Sequence, residues 1–328
     1  MNEWILLAAG FALLLAGGEF LVRGAVTIAR SFGMSPMLIG LTLVGFGTST
    51  PELVASVNAA LKDAPGLAIG NVVGSNIANI FLIIGVSALI LPMATNRAAF
   101  RRDGPALLIA TALLVGVVLA GAIDRMTGAA GLALLLGYTL YTWRTDSRLL
   151  DDAAAMHGQE ADEVEMPGTS LPVAFAITLG GMAGVLVGAD LLVDAAIVIA
   201  RGFGLSEAVI GLTLVAIGTS LPELTTSVMA AIRRHADVAF GNIVGSCMFN
   251  ILGILGVTAL VTPLAIPAGI AAFDVWIAAL AAVMLVVFAM TGWRIGRREG
   301  AILLAAYALY IAFQLSPELR ATLGLPAA

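Results

Sequence analysis

The sequence predicts an all-α polytopic membrane protein with ten transmembrane helices in two inverted-topology repeats of five. Three observations carry this expectation. Apolar residues fill 60% of the 328 positions, charged residues only 11%, and mean hydropathy is +1.03, far from the averages of soluble domains. Ten apolar runs approach or exceed the roughly 20 helical residues that a bilayer core requires. A 15-residue segment also occurs twice: residues 39–53 read IGLTLVGFGTSTPEL and residues 210–224 read IGLTLVAIGTSLPEL, identical at 12 of 15 positions.

In chain order, the expected spans of the first half are residues 4–24, 35–60, 66–91, 105–123 and 128–143. The first has neither a basic n-region nor a small-residue cleavage signature, so it reads as a span and not as a signal peptide. The fifth is short, and the correspondence between the halves is the reason to keep it. The second half supplies residues 171–200, 207–232, 238–261, 271–291 and 299–315. Residues 1–143 therefore form a first repeat and residues 171–328 a second. Between them, residues 144–170 carry Asp146, Asp151, Asp152, Glu160, Asp162, Glu163 and Glu165, most simply a solvated acidic linker.

The repeat has a constant offset, 223 − 52 = 171, which also places Glu19 on Asp190, Arg30 on Arg201 and Gly33 on Gly204. Five spans per half is an odd number, so the second copy enters the membrane from the opposite side. Inverted repeats of this kind build secondary transporters whose sites lie near the midplane. With the N-terminus outside, one side receives Arg23, Arg30, Arg97, Arg101, Arg102, Arg144, Arg148, Arg233, Arg234, Arg294, Arg297 and Arg298. The other receives Lys62, Arg125, Arg201 and Arg320. Cytoplasmic loops are the ones enriched in Lys and Arg, so both termini are expected outside the cytoplasm and the acidic linker within it.

The duplicated segment places a carboxylate, Glu52 or Glu223, in an otherwise apolar span. Pro51 and Pro222 lack a backbone donor, and Gly47 and Gly218 loosen the same turn. The helices are expected to unwind there, freeing carbonyls of residues 45–48 and 216–219 to line a cavity or hold a ligand. Glu52 follows Thr48 by four residues and Ser49 by three, which places their oxygens on one side. Downstream, GNVVGSNIANI (70–80) maps onto GNIVGSCMFNI (241–251), pairing Ser75 with Ser246 and Asn79 with Asn250.

The candidate set is thus Glu52, Glu223, Asn79, Asn250, Thr48, Thr219, Ser49, Ser220, Ser75 and Ser246, all hard oxygen donors. Ca²⁺ takes about 6 to 8 such oxygens, whereas Mg²⁺ is seldom held by an all-protein cage. Soft-ligand metal sites are excluded, because Cys247, His157 and His235 are the only residues of those types. No resident cofactor and no nucleic-acid partner is expected; the partners are ions and the lipid bilayer. An enzyme reading fails for want of a nucleophile or base beside the carboxylates. One Ca²⁺ neutralises both carboxylates, as two protons or two monovalent ions also do, and mutually exclusive occupation is what an antiporter requires.

Serines and glycines in membrane helices ordinarily serve packing, which is the plainer meaning of Gly10, Gly17 and Gly18 in the first span and of Gly180, Gly181, Gly184 and Gly188 in the sixth. Glu19 and Asp190 also fall in apolar spans, with Arg23 and Asp194 one turn on, so a salt bridge or an entrance role explains them better than the central site. Cys247 reads as a small packing residue.

GTSTPEL with GNVVGSNIAN, and GTSLPEL with GNIVGSCMFN, resemble the two alpha repeats of the sodium/calcium exchangers within the cation/calcium antiporter superfamily. The resemblance covers nearly the whole chain. It implies Glu52 and Glu223 as principal Ca²⁺ ligands, with backbone oxygens from Thr48 and Thr219. Ser49, Ser220, Ser75, Ser246, Asn79 and Asn250 would complete the calcium and flanking sodium sites. It further implies an inner-membrane antiporter expelling Ca²⁺ against Na⁺, with the first and sixth helices sliding across the other eight. One departure stands out: many of these exchangers carry Asp where this chain has Asn250. Exchange of Ca²⁺ for H⁺, or a K⁺-dependent variant, is therefore the alternative, and a cation channel a more distant one.

Overall fold

A computed structural model describes residues 3–32, 36–61, 63, 65–95, 97–157, 169–202, 216–314 and 316, and nearly all of them are helical. The first half comprises α1 (Glu3–Ser31), α2 (Pro36–Ile39), a π-helical turn π1 (Gly40–Val44), α3 (Gly45–Thr48) and α4 (Thr50–Leu61). It continues through α5 (Pro65–Ile77), π2 (Ala78–Ile84), α6 (Gly85–Ile90), α7 (Arg97–Leu119) and α8 (Arg125–His157). The second half comprises α9 (Leu171–Gly202), α10 (Ala216–Thr219), α11 (Leu221–Ile232), α12 (Ala236–Met248), π3 (Phe249–Ile254) and α13 (Leu255–Val261). It closes with π4 (Ile270–Asp274), α14 (Val275–Met290) and α15 (Arg297–Gln314). Four two-residue strands form two antiparallel pairs, β1 (Met93–Ala94) with β4 (Arg294–Ile295) and β2 (Ala122–Ile123) with β3 (Leu264–Ala265).

Among the described residues, six helices are long and apolar enough to cross a membrane: Glu3–Ile28, Pro65–Ile90, Phe100–Leu119, Leu171–Gly188, Ala236–Val261 and Ile270–Met290. The expected second span is instead a chain of short helices, and residues 207–215 of the expected seventh lie outside the described residues. Two expected boundaries move. Helix α7 starts at Arg97, with Pro105 inside it, and not at the proline. Helix α8 starts at Arg125 and runs to His157, so the first half of the segment read as linker continues a helix; Glu160, Asp162, Glu163 and Glu165 lie outside the described residues. The start of α8 is fixed by Asp124, whose Oδ1 accepts the Thr127 N–H at 2.8 Å and the Thr127 hydroxyl at 2.6 Å, an N-terminal cap. Those two donors hold the Asp124 carboxyl below its ordinary range.

The packed residues fall into two compact units, Met1–Ser49 with Leu140–Gly245, and Thr50–Thr139 with Ser246–Ala328. In unit one, α1 lies against α9 and α11. The glycine stripes make that contact: a Cβ on Gly17 would stand 2.7 Å from the Val185 nitrogen and 2.8 Å from the Gly181 oxygen, and one on Gly188 2.8 Å from the Leu14 nitrogen. Backbone meets backbone, as small residues permit in membrane helices. Leu14, Leu21, Ile28, Val44 and Val185 form the apolar core around this contact. Glu19 bridges Arg23 on its own helix (2.5 Å) and Arg233 at the end of α11 (Nε to Oε2, 2.8 Å); the Arg23 pair was legible in the sequence, the Arg233 pair was not.

In unit two, α5 packs on α4 and α14, and α15 packs on α6. Two partly buried polar links fasten its outer helices: the Tyr138 hydroxyl of α8 donates to Asp103 of α7 at 2.7 Å, and the Tyr310 hydroxyl of α15 donates to Asp274 at 3.0 Å. Asp103 and Asp274 are again 171 residues apart, 274 − 103 = 171, while the two tyrosines are 172 apart, so the repeat duplicates the acceptor with the donor displaced by one residue.

Candidate functional site

Each GTSxPEL motif folds as a short helix, a one-residue break and a new helix. Ser49 has φ −84°, ψ 11° and Ser220 has φ −92°, ψ 5°, values that stop an α-helical ladder. The expected unwinding is thus smaller than the sequence suggested. Gly45 is not left free: its carbonyl accepts the Ser49 N–H at 3.2 Å and the Thr48 hydroxyl at 3.3 Å. Pro51 and Pro222 sit as the second residue of α4 and α11. A missing N–H costs nothing there, because first-turn donors have no intrahelical partner. The prolines begin the second helix more than they break the first.

This arrangement puts Glu52 and Glu223 in the first turns of α4 and α11, at the positive ends of two helix dipoles. Both side chains have 0% exposure.

In unit one, the Ser49 hydroxyl donates to Glu223 Oε1 at 2.7 Å. Asn242 holds the same glutamate from behind, its Nδ2 donating to the Glu223 carbonyl at 3.3 Å and to the Ser227 hydroxyl at 2.9 Å. The Thr48 hydroxyl reaches Asn242 Oδ1 at 3.3 Å. Thr48, Ser49 and Ser220 are buried, and Thr219 is partly so. Segments from both sequence halves therefore converge on Glu223.

Unit two repeats part of the pattern around Glu52. Asn71 Nδ2 donates to the Glu52 carbonyl at 3.1 Å and to the Ser56 hydroxyl at 3.0 Å. Helix α4 packs against π3, the turn carrying Asn250. Ser75, Asn79, Ser246 and Asn250 are all buried. Asn79 and Asn250 both fall in π-helical turns, π2 and π3, geometry that recurs at functional sites. Neither amide atom of Asn79 or of Asn250 has a hydrogen-bond partner, and Oε2 of Glu223 accepts none. A buried polar atom left so costs about 1–3 kcal/mol, which marks these atoms as poised for something else.

Three further pairs of polar residues, absent from the expected set, also recur at the 171-residue offset. Asn71 and Asn242 lie in the same GNxVGS motifs and at the same offset as the chosen residues, which was the available signal. Ser56 and Ser227, their partners, share the offset but not the motif. Ser87 and Thr258 are also 171 apart, and their buried hydroxyls make no hydrogen bond. Among the described residues, no three His, Cys, Asp or Glu side chains come together. Any metal here must take mostly neutral oxygens, as Ca²⁺ readily does.

Residues 2–145 and 173–316 match the family described as sodium/calcium exchanger protein, two stretches whose starts are 173 − 2 = 171 residues apart. The chain belongs to the sodium/calcium exchanger family. Its similarity to other members of the family extends over most of its length. It is 38% identical to a putative antiporter, CaxA, of Alkalimonas amylolytica, over 93% of this chain and 96% of that one. It is 34% identical to the inner membrane protein YrbG of Escherichia coli strain K12 (96% and 98%). With the sodium/calcium exchanger MaX1 of Methanosarcina acetivorans it shares 32% identity (94% and 97%). A solved structure of the sodium-calcium exchanger NCX_Mj, soaked with 10 mM Na⁺ and 10 mM Sr²⁺, superposes with a TM-score of 0.82 at 33% identity, covering 95% of this chain and 99% of that one. This member of the exchanger family is accordingly a membrane protein of antiporter kin.

Proposed function

We propose that the protein is a secondary active antiporter, not an enzyme, which exchanges Ca²⁺ for Na⁺ across the bacterial inner membrane by alternating access. Its ten spans form two inverted repeats of five, with both termini outside the cytoplasm. The ions bind to Glu52 and Glu223, aided by the backbone or side-chain oxygens of Thr48, Thr219, Ser49, Ser220, Ser75, Ser246, Asn79 and Asn250. The single observation that carries this reading is the pair Asn79 and Asn250, fully buried with no amide atom hydrogen-bonded. A cation held by their Oδ1 atoms would offset that cost, and the duplicated acidic residues supply its counter-charge. MaX1 and NCX_Mj are sodium/calcium exchangers, and a second NCX_Mj structure was soaked with 2.5 mM Na⁺ and 0.1 mM Ca²⁺, which supports Na⁺ and Ca²⁺ as the ions.

Asn250 favours a second reading. With Asn in both halves, the donor set carries two negative charges, which one Ca²⁺ or two monovalent ions neutralise, and protons serve as well as Na⁺. Flux of ⁴⁵Ca²⁺ in proteoliposomes, with Na⁺, K⁺ and H⁺ gradients imposed separately, decides between them. Uptake driven by a Na⁺ gradient supports Na⁺ exchange; uptake driven by a pH gradient, without a Na⁺ response, replaces it with H⁺ exchange. Ohmic, uncoupled current in bilayers would replace both with a channel. Asn250→Asp is expected to change the apparent affinity or cooperativity of the coupling ion more than it changes folding.

A further inference from the structure

The end of unit two at which β1 and β4 pair carries an uneven charge. Residues 91–104 and 290–301 contain six arginines, Arg97, Arg101, Arg102, Arg294, Arg297 and Arg298, against two carboxylates, Asp103 and Glu299. Both carboxylates are engaged locally. Asp103 takes Arg102 and the Tyr138 hydroxyl, and Glu299 Oε2 accepts the Gly296 N–H at 3.0 Å. Arg97, Arg101, Arg294 and Arg298 are exposed and have no ion-pair partner among the described residues.

Three of these arginines, Arg97, Arg101 and Arg294, are held in place. Met93 pairs with Ile295 and Ala94 with Arg294, and the Thr95 N–H donates to the Trp293 carbonyl at 2.9 Å. The Arg97 guanidinium lies 4.9 Å from the centre of the Trp293 ring and that of Arg101 lies 6.0 Å from it, within cation–π range. Phe100 meets the same ring edge-on at 6.5 Å. The surface adjoins the ends of three membrane-length helices, Pro65–Ile90, Phe100–Leu119 and Ile270–Met290, the depth at which Trp marks the membrane interface. The other strand pair is an internal control: the β2–β3 connections (120–127 and 262–268) contain only Asp124 and Arg125 as charges and no aromatic residue. Strand pairing between loops therefore does not by itself produce such a surface.

We propose that the β1–β4 loop pair is a binding surface for the phosphate groups of anionic phospholipids. Arginine forks engage phosphate oxygens bidentately, and clusters of basic residues beside a membrane span attract anionic headgroups. A sidedness signal needs only that the arginines lie on one side. Stacking on Trp293 and immobilisation by the strand pair are additional, and they suit a bound headgroup.

Trp293 supplies the test. Trp4, Trp143 and Trp276 are well exposed, at 60%, 60% and 49%, so replacing all three with Phe leaves Trp293 as the reporter. In phosphatidylcholine proteoliposomes, acyl-brominated phosphatidylglycerol is expected to quench Trp293 with an apparent affinity about fivefold or more above that of acyl-brominated phosphatidylcholine, the ratio that one basic residue at the surface gives. Arg97→Gln, Arg101→Gln and Arg298→Gln together should bring the ratio to one, leaving ⁴⁵Ca²⁺ flux in pure phosphatidylcholine unchanged. Should that triple variant fail to insert, Arg298→Gln alone should still lower the ratio. Equal quenching by the two brominated lipids in the parent overturns the proposal. So does abolition of the phosphatidylglycerol excess by millimolar inorganic phosphate, which would assign the surface to a soluble anion.

Discussion

Glu223 receives a hydroxyl from Ser49 on one side and has its backbone held by Asn242 on the other, so the consequences of losing each neighbour differ. Glu223→Gln and Glu52→Gln remove the charge that a cation needs while preserving shape; both are expected to abolish Ca²⁺ transport in a protein that still inserts and elutes as a monodisperse peak. Near-normal ⁴⁵Ca²⁺ flux in either variant would remove the site proposed above. Ser49→Ala deletes a hydrogen bond to a charged group, an interaction of about 1.5–3 kcal/mol, so apparent Ca²⁺ affinity should fall roughly tenfold or more at 1.4 kcal/mol per decade. Asn242→Ala is different in kind. It leaves the Glu223 carboxylate in place but deletes two donors that fasten α11, and should lower stability by about 1–3 kcal/mol, visible in thermal unfolding, as well as weaken Ca²⁺ binding. Unchanged melting in Asn242→Ala would show that the fastening is dispensable.

At the scale of elements, the motifs were legible because a carboxylate beside proline in an apolar span is costly, and its recurrence 171 residues later removes chance. The one-residue size of the breaks was not legible, since Gly47 and Pro51 signal weakness in a ladder without saying how soon it recovers. Nor were the π-helical turns at Asn79 and Asn250, because an i to i+5 bond leaves no mark in composition. The continuation of α8 to His157 was hidden by acidic residues, which suit a solvated helix as well as a linker. Packing, the plainer meaning of the glycine stripes, holds in unit one for Gly17, Gly181 and Gly188 and not for Gly180, which gives a test by sign. A Cβ on Gly17 meets backbone at 2.7 Å, which cannot yield, whereas one on Gly180, in the same α9 stripe, meets nothing within 4 Å. Gly17→Ala should destabilise by about 1–3 kcal/mol, and Gly180→Ala should be neutral or stabilise by up to about 1 kcal/mol through the unfolded chain. Thermal unfolding of the two variants in one detergent reads the difference, and equal shifts would refute the packing role of the stripe.

For the whole molecule, the 171-residue repeat determines more than the site: it recurs in the Asp103 and Asp274 links, in Asn71 and Asn242, and in the two stretches matched by the exchanger family. The compact units nevertheless draw one segment from each half, and they divide the first half at the Ser49 break but the second between Gly245 and Ser246, an asymmetry that sequence periodicity alone does not reveal. Duplicated charge also bears on coupling. An empty carrier with both glutamates ionised would hold two uncompensated charges in the membrane, each costing at least about 2.5–3.5 kcal/mol. Even one such charge slows the return of the empty form by roughly 100-fold, at 1.36 kcal/mol per decade. Proteoliposomes loaded with ⁴⁵Ca²⁺ and diluted into ion-poor sucrose at alkaline pH should thus lose their label very slowly. Adding Na⁺ outside should accelerate release by one to two orders of magnitude if Na⁺ is the counter-ion, and lowering the outside pH should do so if H⁺ is. Fast release into sucrose with neither ion would show that the empty site crosses freely, and the charge-coupling account of exchange would then be wrong.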